Sequence, residues 1–192
     1  MKRFAQLKNV LYLCGDFKLQ RNMNEREIRI PITRLKDYLG EAGITVTCLS
    51  ELSGINRLHL NMCMNGVIDD RNGRVRTMSD DNMQRLQEAL HQLALNLKYI
   101  FILYNTDMEV VKQNGRRYCP DCVEQIKTQL SSYINILPFV QHSLGWNRSK
   151  ARNVINKKSI AYGNISQDDV NRINIFLAEL ATRLDMLTLT RG

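Results

Sequence analysis

A pattern that occurs twice limits what this chain can fold into. GINRLHLNMCMN (residues 54–65) aligns with GWNRSKARNVIN (residues 145–156) at an offset of 91, sharing Gly, Asn, Arg and the final Asn. Downstream, MSDDNMQRLQEALHQLALNL (residues 78–97) aligns with ISQDDVNRINIFLAELATRL (residues 165–184) at an offset of 87. Pairs in that stretch include Ser79/Ser166, Asp81/Asp168, Arg85/Arg172, Leu90/Leu177, Leu93/Leu180 and Leu97/Leu184. The change of offset makes the intervening loop four residues shorter in the second copy. Helical amphipathicity alone does not reproduce Gly-x-Asn-Arg. Duplication of a small helical unit does, with the length change confined to a loop.

Each copy reads as helices with definite ends. In the first, Ile32, Leu35, Tyr38 and Leu39 follow helical spacing, and Gly40 and Gly43 mark the exit. Thr45 is suited to cap a second helix carrying Val46, Leu49 and Leu52, which stops at Gly54 because glycine accepts the left-handed conformation that ends a helix. Asn56 then caps a third helix with Leu60 and Cys63 inward, stopping near Asn65-Gly66. Ser79 opens a longer closing helix with Met83, Leu86, Leu90, Leu93 and Leu97 on one side. The second copy repeats the scheme. Ile126 and Leu130 lie in its first helix, Val140 and Leu144 in its second, Gly145 at the turn and Asn147 at the cap. Its third helix directs Ala151, Val154 and Ile155 inward, and Pro138 sits in the first turn of its second helix, where a missing N–H costs little. Two short helices joined by a tight glycine-containing turn make a helix-turn-helix.

LKDYLGEAGITVTCLSELSGINRLHLNMCMNG (residues 35–66) resembles the lambda-repressor-like helix-turn-helix family of XRE and Cro type. The residues that carry the likeness are Gly-Ile-Thr before helix two, Leu-Ser-Glu-x-x-Gly-Ile across it, the Asn cap, and Asn-Gly after helix three. With the closing helix it covers residues 32–97. The second copy, 124–186, is similar but more divergent, with Gln141 where the family has a small residue and Lys157 in place of the terminal Gly. The resemblance implies a mainly α fold: two tandem units of this kind joined by a segment with a small β-hairpin. It also implies that the start of helix three enters the DNA major groove. Carried over, the reading positions are Arg57, Leu58, His59, Asn61 and Met62 in the first copy, and Arg148, Ser149, Lys150, Arg152 and Asn153 in the second. Arg and Lys suit guanine O6/N7, Asn suits adenine N6/N7, and apolar groups suit the thymine methyl. Leu58 and Met62 make the first copy equally suited to a protein contact.

The charge is unevenly placed. Of a net +8, residues 1–31 carry seven bases and three acids, 32–97 seven and eight, 98–123 four and three, and 124–192 nine and five. Arg148, Lys150, Arg152, Lys157 and Lys158 fall within eleven residues that hold no acid. Lys157 and Lys158, with Arg71, Arg74 and Arg76 in the longer loop of the first copy, suit phosphate contacts, which position without specifying.

The expected organisation is an N-terminal basic arm or pairing segment (1–31), a first helix-turn-helix unit (32–97), a linker of strand and hairpin with Cys-x-x-Cys (98–123), and a second unit (124–192). In the linker KYIFILY (residues 98–104) is rich in strand formers, and residues 109–119 suit a hairpin turning at Asn114-Gly115. FAQLKNVLYLC (residues 4–14) suits either a strand joining that sheet or a short helix, and RNMNERE (residues 21–27) a linker.

Other chemistry is poorly supported. Cys119-Pro-Asp-Cys122 is half of a zinc site without a visible second half, and the βα context of a redox Cys-x-x-Cys is missing. No metal or cofactor is expected. The five cysteines form no disulfide framework, and Cys48 and Cys63 fall at core positions. The Ser-Asp-Asp and Ser-Gln-Asp-Asp stretches suit helix caps complementing the dipole rather than acid-base sites. His91 and His142 suit surface or packing roles, and Trp146 a core anchor. With no Gly-rich phosphate loop, no His pair at metal spacing and no serine facing a base and acid, an enzyme is not expected. The longest apolar stretch, residues 99–104, is far below the ~20 residues of a membrane helix. The expectation is therefore a cytoplasmic, nucleoid-associated regulator that binds double-stranded DNA sequence-specifically, its two recognition helices acting as a pseudo-dimer in one chain. The alternative is a helix-turn-helix protein-interaction module, an antitoxin or a phage or mobile-element accessory factor, that binds DNA weakly and engages a protein partner or a second copy of the chain.

Overall fold

Polar caps and left-handed glycines set the helix limits in the structure, a computed structural model that describes residues 27–70, 73–112 and 115–191. A strand β1 (Ile28–Pro31) leads into α1 (Ile32–Gly40), α2 (Val46–Ser53) and α3 (Arg57–Met64). The short strands β2 (Ile68–Asp69) and β3 (Arg74–Val75) pair antiparallel before the long α4 (Asp80–Lys98). After a single 3-10 turn (Thr106–Met108), β4 (Val110–Val111) pairs antiparallel with β5 (Arg117–Tyr118). Then come α5 (Pro120–Leu130), α6 (Ile136–Leu144), α7 (Arg148–Ile155), the long α8 (Gln167–Asp185) and β6 (Leu187–Thr190). The protein is thus mainly helical with small sheets. Among the described residues no helix is long and apolar enough to cross a membrane.

The helix ends follow from local chemistry. Thr45 Oγ1 accepts the Cys48 N–H, the Asn56 side chain accepts from Leu58 and His59, and Asn147 accepts from Lys150. These caps satisfy donors that the first helical turn leaves without partners. Gly54 and Gly145, at φ +65 and +63, turn the chain out of α2 and α6. Ser79 caps α4, and Ser166 with Asp169 forms a reciprocal capping box on α8.

The core is one buried cluster that runs through both halves. Leu86, Leu90, Leu93 and Leu97 of α4 and Ile173, Leu177, Leu180 and Leu184 of α8 are almost fully buried where the two long helices pack along each other. Each such side chain contributes ~1.5–3 kcal/mol by leaving water. The halves meet at a second place. Ile44 and Ile134 form an antiparallel bridge, and the Asn135 N–H donates to the Gly43 carbonyl at 2.8 Å. Both isoleucines precede the cap of a second helix, Thr45 for α2 and Asn135 for α6, so each faces its own sequence counterpart. α6 is one residue longer than α2, which absorbs the difference between the offset of 90 at these caps and 91 at the glycines.

Three sequence expectations need correction. Among the described residues KYIFILY pairs with no strand. Lys98 ends α4, and the main chain around Ile102 bonds to side-chain amides: Asn174 Oδ1 accepts the Ile102 N–H and Asn174 Nδ2 donates to its carbonyl, both at 2.9 Å. Gln125 does the same for Leu103, at 2.9 and 3.0 Å. Main-chain groups of this strand-forming stretch are thus satisfied by amide side chains. Cys-Pro-Asp-Cys is not in a linker. Pro120 opens α5 at a position that needs no N–H, and Cys122 and Val123 continue the buried face of Ile126 and Leu130. The C-terminal residues do not belong to a helical unit alone, since β6 pairs in parallel with β1, Ile28 opposite Leu187 through Pro31 opposite Thr190. The reading of residues 4–14 and 21–26 falls outside the described residues, as does Asn114 in the turn between β4 and β5.

Candidate nucleic-acid interface

The third helix of each half stands on a short turn of fixed shape. Residues 54–56 join α2 to α3, and residues 145–147 join α6 to α7. In each half an arginine of the closing helix reaches over this turn. Arg172 Nη2 of α8 donates to the Leu144 carbonyl at 2.9 Å, covering a group that the end of α6 leaves without a helical partner. Arg85 of α4 lies so close to Gly54 that a Cβ there would come within 2.6 Å of its Nη2. Both arginines stand in the repeat as Arg85/Arg172, but only the fold shows that each reaches the turn of its own half.

On α7 the inward face consists of Ala151 and Val154, both buried, with Ile155 half-buried. Arg148, Ser149, Lys150, Arg152 and Asn153 are all exposed, so the outward face offers two guanidinium groups, an ammonium, a hydroxyl and an amide. The Lys150 ammonium sits 3.9 Å from the centre of the Trp146 ring. Trp146 is half-buried, so it is a platform for this cation as well as a packing residue. A shallow cavity of about 350 Å³ beside the helix is lined by Asn147, Ser149, Lys150, Asn153 and Asn164, with Val154 and Ala161 as its apolar part. Asn164 is not among the sequence candidates because it lies nine residues beyond the helix.

The basic residues after α7 divide. Lys158 is exposed. Lys157 pairs with Glu124 of α5 at 2.8 Å, and the Tyr162 hydroxyl donates to the same carboxylate. The hydrogen bond from Lys157, then that from Tyr162, and the nearby charge of Lys127 hold Glu124 at a pKa of about 2. This cluster ties α5 to the loop after α7. Lys157 is thereby a bracing residue more than a free phosphate contact.

α3 presents different chemistry. Arg57 is exposed and Leu58 is 62 % exposed, while His59, Asn61 and Met62 are half-buried. His59 Nε2 lies 3.8 Å from Cys63 Sγ, one turn along the helix. A crevice of about 320 Å³ between the starts of α2 and α3 is lined by Val46, Thr47, Arg57, Leu58 and Asn61. Arg76, expected to meet phosphate, is instead half-buried: Nη1 contacts Met62 Sδ at 3.2 Å and Nη2 lies 3.8 Å from Asp69. Arg74 lies exposed in β3, and Arg71 is outside the described residues. The loop that is longer in this copy folds back on α3 through these contacts.

Cys119 and Cys122 are fully buried at the start of α5. Burial and the adjoining Cys119 push the Cys122 thiol far up, and burial pushes Cys48 up to about 11. Among the described residues no three His, Cys, Asp or Glu side chains converge as a metal site. His91 lies 3.3 Å from Asp185, and the His142 ring packs on Phe176 with centres 5.4 Å apart.

No protein-family model, curated protein or solved structure matches this chain.

Proposed function

We propose that the protein is a sequence-specific double-stranded-DNA-binding regulator with two lambda-repressor-like helix-turn-helix units in one chain. The observation that carries the reading is α7: an eight-residue helix, held by an Asn cap and a left-handed glycine, with its whole polar face exposed. That face holds the side chains that read base edges, Arg148 and Arg152 for guanine and Asn153 for adenine, beside Ser149 and Lys150 for phosphate or bases. α3 stands on the equivalent turn and offers Arg57, Leu58, His59 and Asn61, a weaker and more apolar reader. Together they act as a pseudo-dimer on two half-sites. Lys158 supplies a phosphate contact.

The test is binding to a selected duplex and to random duplex over a range of salt. Each good base contact discriminates by ~1–3 kcal/mol. The Arg148→Ala, Arg152→Ala double variant is therefore expected to lose at least ten-fold in affinity for the selected duplex and to converge on its affinity for random DNA. Equal binding of both duplexes by the parent, unaffected by the substitutions, overturns the reading.

One observation favours a second reading. Leu58 is largely exposed at the head of α3, and β2 and β3 expose Ile68 and Val75, a composition suited to protein contact. On that reading α3 holds a protein partner while α7 holds DNA, and Leu58→Asp abolishes the protein complex without changing DNA affinity.

A further inference from the structure

We infer that the two halves form one interlocked body, and that the DNA target is therefore a duplex with two unlike half-sites at a single fixed separation. The inference rests on the reading of α3 and α7 as groove-reading helices.

The interlock is a reciprocal exchange of tails. The segment after each long helix crosses to the other half and is clasped there by an amide on that half's long helix. β6, which follows α8, is held by Gln87 of α4: Nε2 donates to the Leu187 carbonyl at 2.5 Å and Oε1 accepts the Leu189 N–H at 2.9 Å. Residues 100–104, which follow α4, are held by Asn174 of α8 through both polar groups of Ile102. Gln87 and Asn174 are counterparts in the repeat, 87 positions apart, and so are Ile102 and Leu189. The other flank of each tail matches as well. β6 lies along β1, just before α1, while residues 100–104 lie along the start of α5, with Gln125 on Leu103 and Cys122 Sγ donating to the Leu103 carbonyl at 3.6 Å. A bonded ladder in one half is replaced by side-chain bonds in the other.

Between the tails, α4 packs on α8 and Ile44 faces Ile134. Counterparts facing counterparts is the pattern of a two-fold contact. The separation of α3 and α7 is set by these contacts, not by the stretch joining the halves. Two modules on a flexible tether sample a range of separations and tolerate different spacers. An interlocked pair does not: one added base pair moves a half-site by ~3.4 Å and turns it by about a tenth of a helical turn. Unlike half-sites follow from the unlike faces, since α3 has Leu58, His59 and Asn61 where α7 has Ser149, Lys150 and Arg152.

The experiment takes a duplex selected from a random pool by the full-length protein and changes its spacer by one, two and five base pairs. It is run on the parent and on a variant with about ten Gly and Ser residues inserted after Tyr99, which is 83 % exposed between the end of α4 and the tail that Asn174 holds. The expected result is a loss of at least ten-fold for any spacer change, and the same preferred spacer in the insertion variant. Specific binding that tolerates several spacers, or a preference that broadens with the insertion, overturns the fixed separation while leaving DNA reading intact. Failure to select any sequence overturns the functional reading and this inference with it. Should the insertion prevent folding, the spacer series on the parent decides.

Discussion

Gly43→Ala tests how the halves meet, with Gly145→Ala as its control. Both glycines hold positive φ, +77 and +63, so an alanine at either costs roughly 1–2 kcal/mol in backbone conformation. Their surroundings differ. A Cβ on Gly145 lies 3.9 Å from the Arg172 Nη2, an ordinary contact with a flexible side chain. A Cβ on Gly43 lies 2.7 Å from the Asn135 carbonyl oxygen, 3.2 Å from Ile134 Cγ2 and 3.3 Å from the Phe139 nitrogen. Two of these atoms are main chain, so one half must move away from the other. That adds overpacking of ~1–3 kcal/mol and weakens the Asn135 N–H bond to the Gly43 carbonyl, worth about 0.5–1.5 kcal/mol. Gly43→Ala should therefore cost ~2–4 kcal/mol more than Gly145→Ala. At about 2–4 °C per kcal/mol for a chain of this size, its Tm falls by ~4–16 °C more. Circular dichroism melts and urea midpoints measure both variants. Equal losses would refute the reasoning, because they would mean that the close approach between Gly43 and Asn135 is not made.

Two further outcomes follow from the site. Glu124 ionises more readily in the folded protein than in the unfolded chain, so its stabilising effect is complete above about pH 4.5 and is lost as pH falls toward 2. The urea midpoint of Glu124→Gln should be lower than the parent's at pH 6 and meet it near pH 2; a difference that does not change with pH would remove the Lys157 and Tyr162 contacts from the account. If Leu58 packs on a thymine methyl, replacing thymine by deoxyuridine in the half-site read by α3 should weaken parent binding about four-fold, the worth of one methyl-sized group. The Leu58→Ala variant should show no such loss, and an equal loss in both would show that Leu58 does not meet the base.

Much of the helical layout was legible because its causes are local. Thr45, Asn56, Asn147, Ser79 and Ser166 each cap the helix that begins beside them, and Gly54 and Gly145 each end one. Those signals act within four residues, so a linear reading reaches them. The tails were not legible. β1 and β6 are separated by more than 150 residues, and Leu-Thr-Leu-Thr alternates as a strand should without indicating its partner. The strand-like KYIFILY departs from the expectation for the same reason: the bonds of Ile102 and Leu103 go to Asn174 and Gln125, whose sequence positions carry no sign of that role. At the site, the outward residues of α7 followed from helical phase. What phase could not show was that Lys157 is tied to Glu124, that Arg76 folds onto Met62 and Asp69, and that Lys150 rests on Trp146. Each of those pairings joins a residue of the expected surface to a partner outside its own helix. The Cys-x-x-Cys spacing reads as an unpartnered half of a zinc site in a linker, whereas the phase it shares with Ile126 and Leu130 puts Cys122 on the buried face of α5.

The central claim is that two unlike helices of one chain read one duplex, and selection of bound sequences from a random DNA pool tests it most directly. The account predicts an enriched motif of two dissimilar halves about one helical turn apart, with its more strongly specified half lost in Arg148→Ala plus Arg152→Ala. A pool that remains random after repeated selection, or a symmetric motif unaffected by those substitutions, would contradict it.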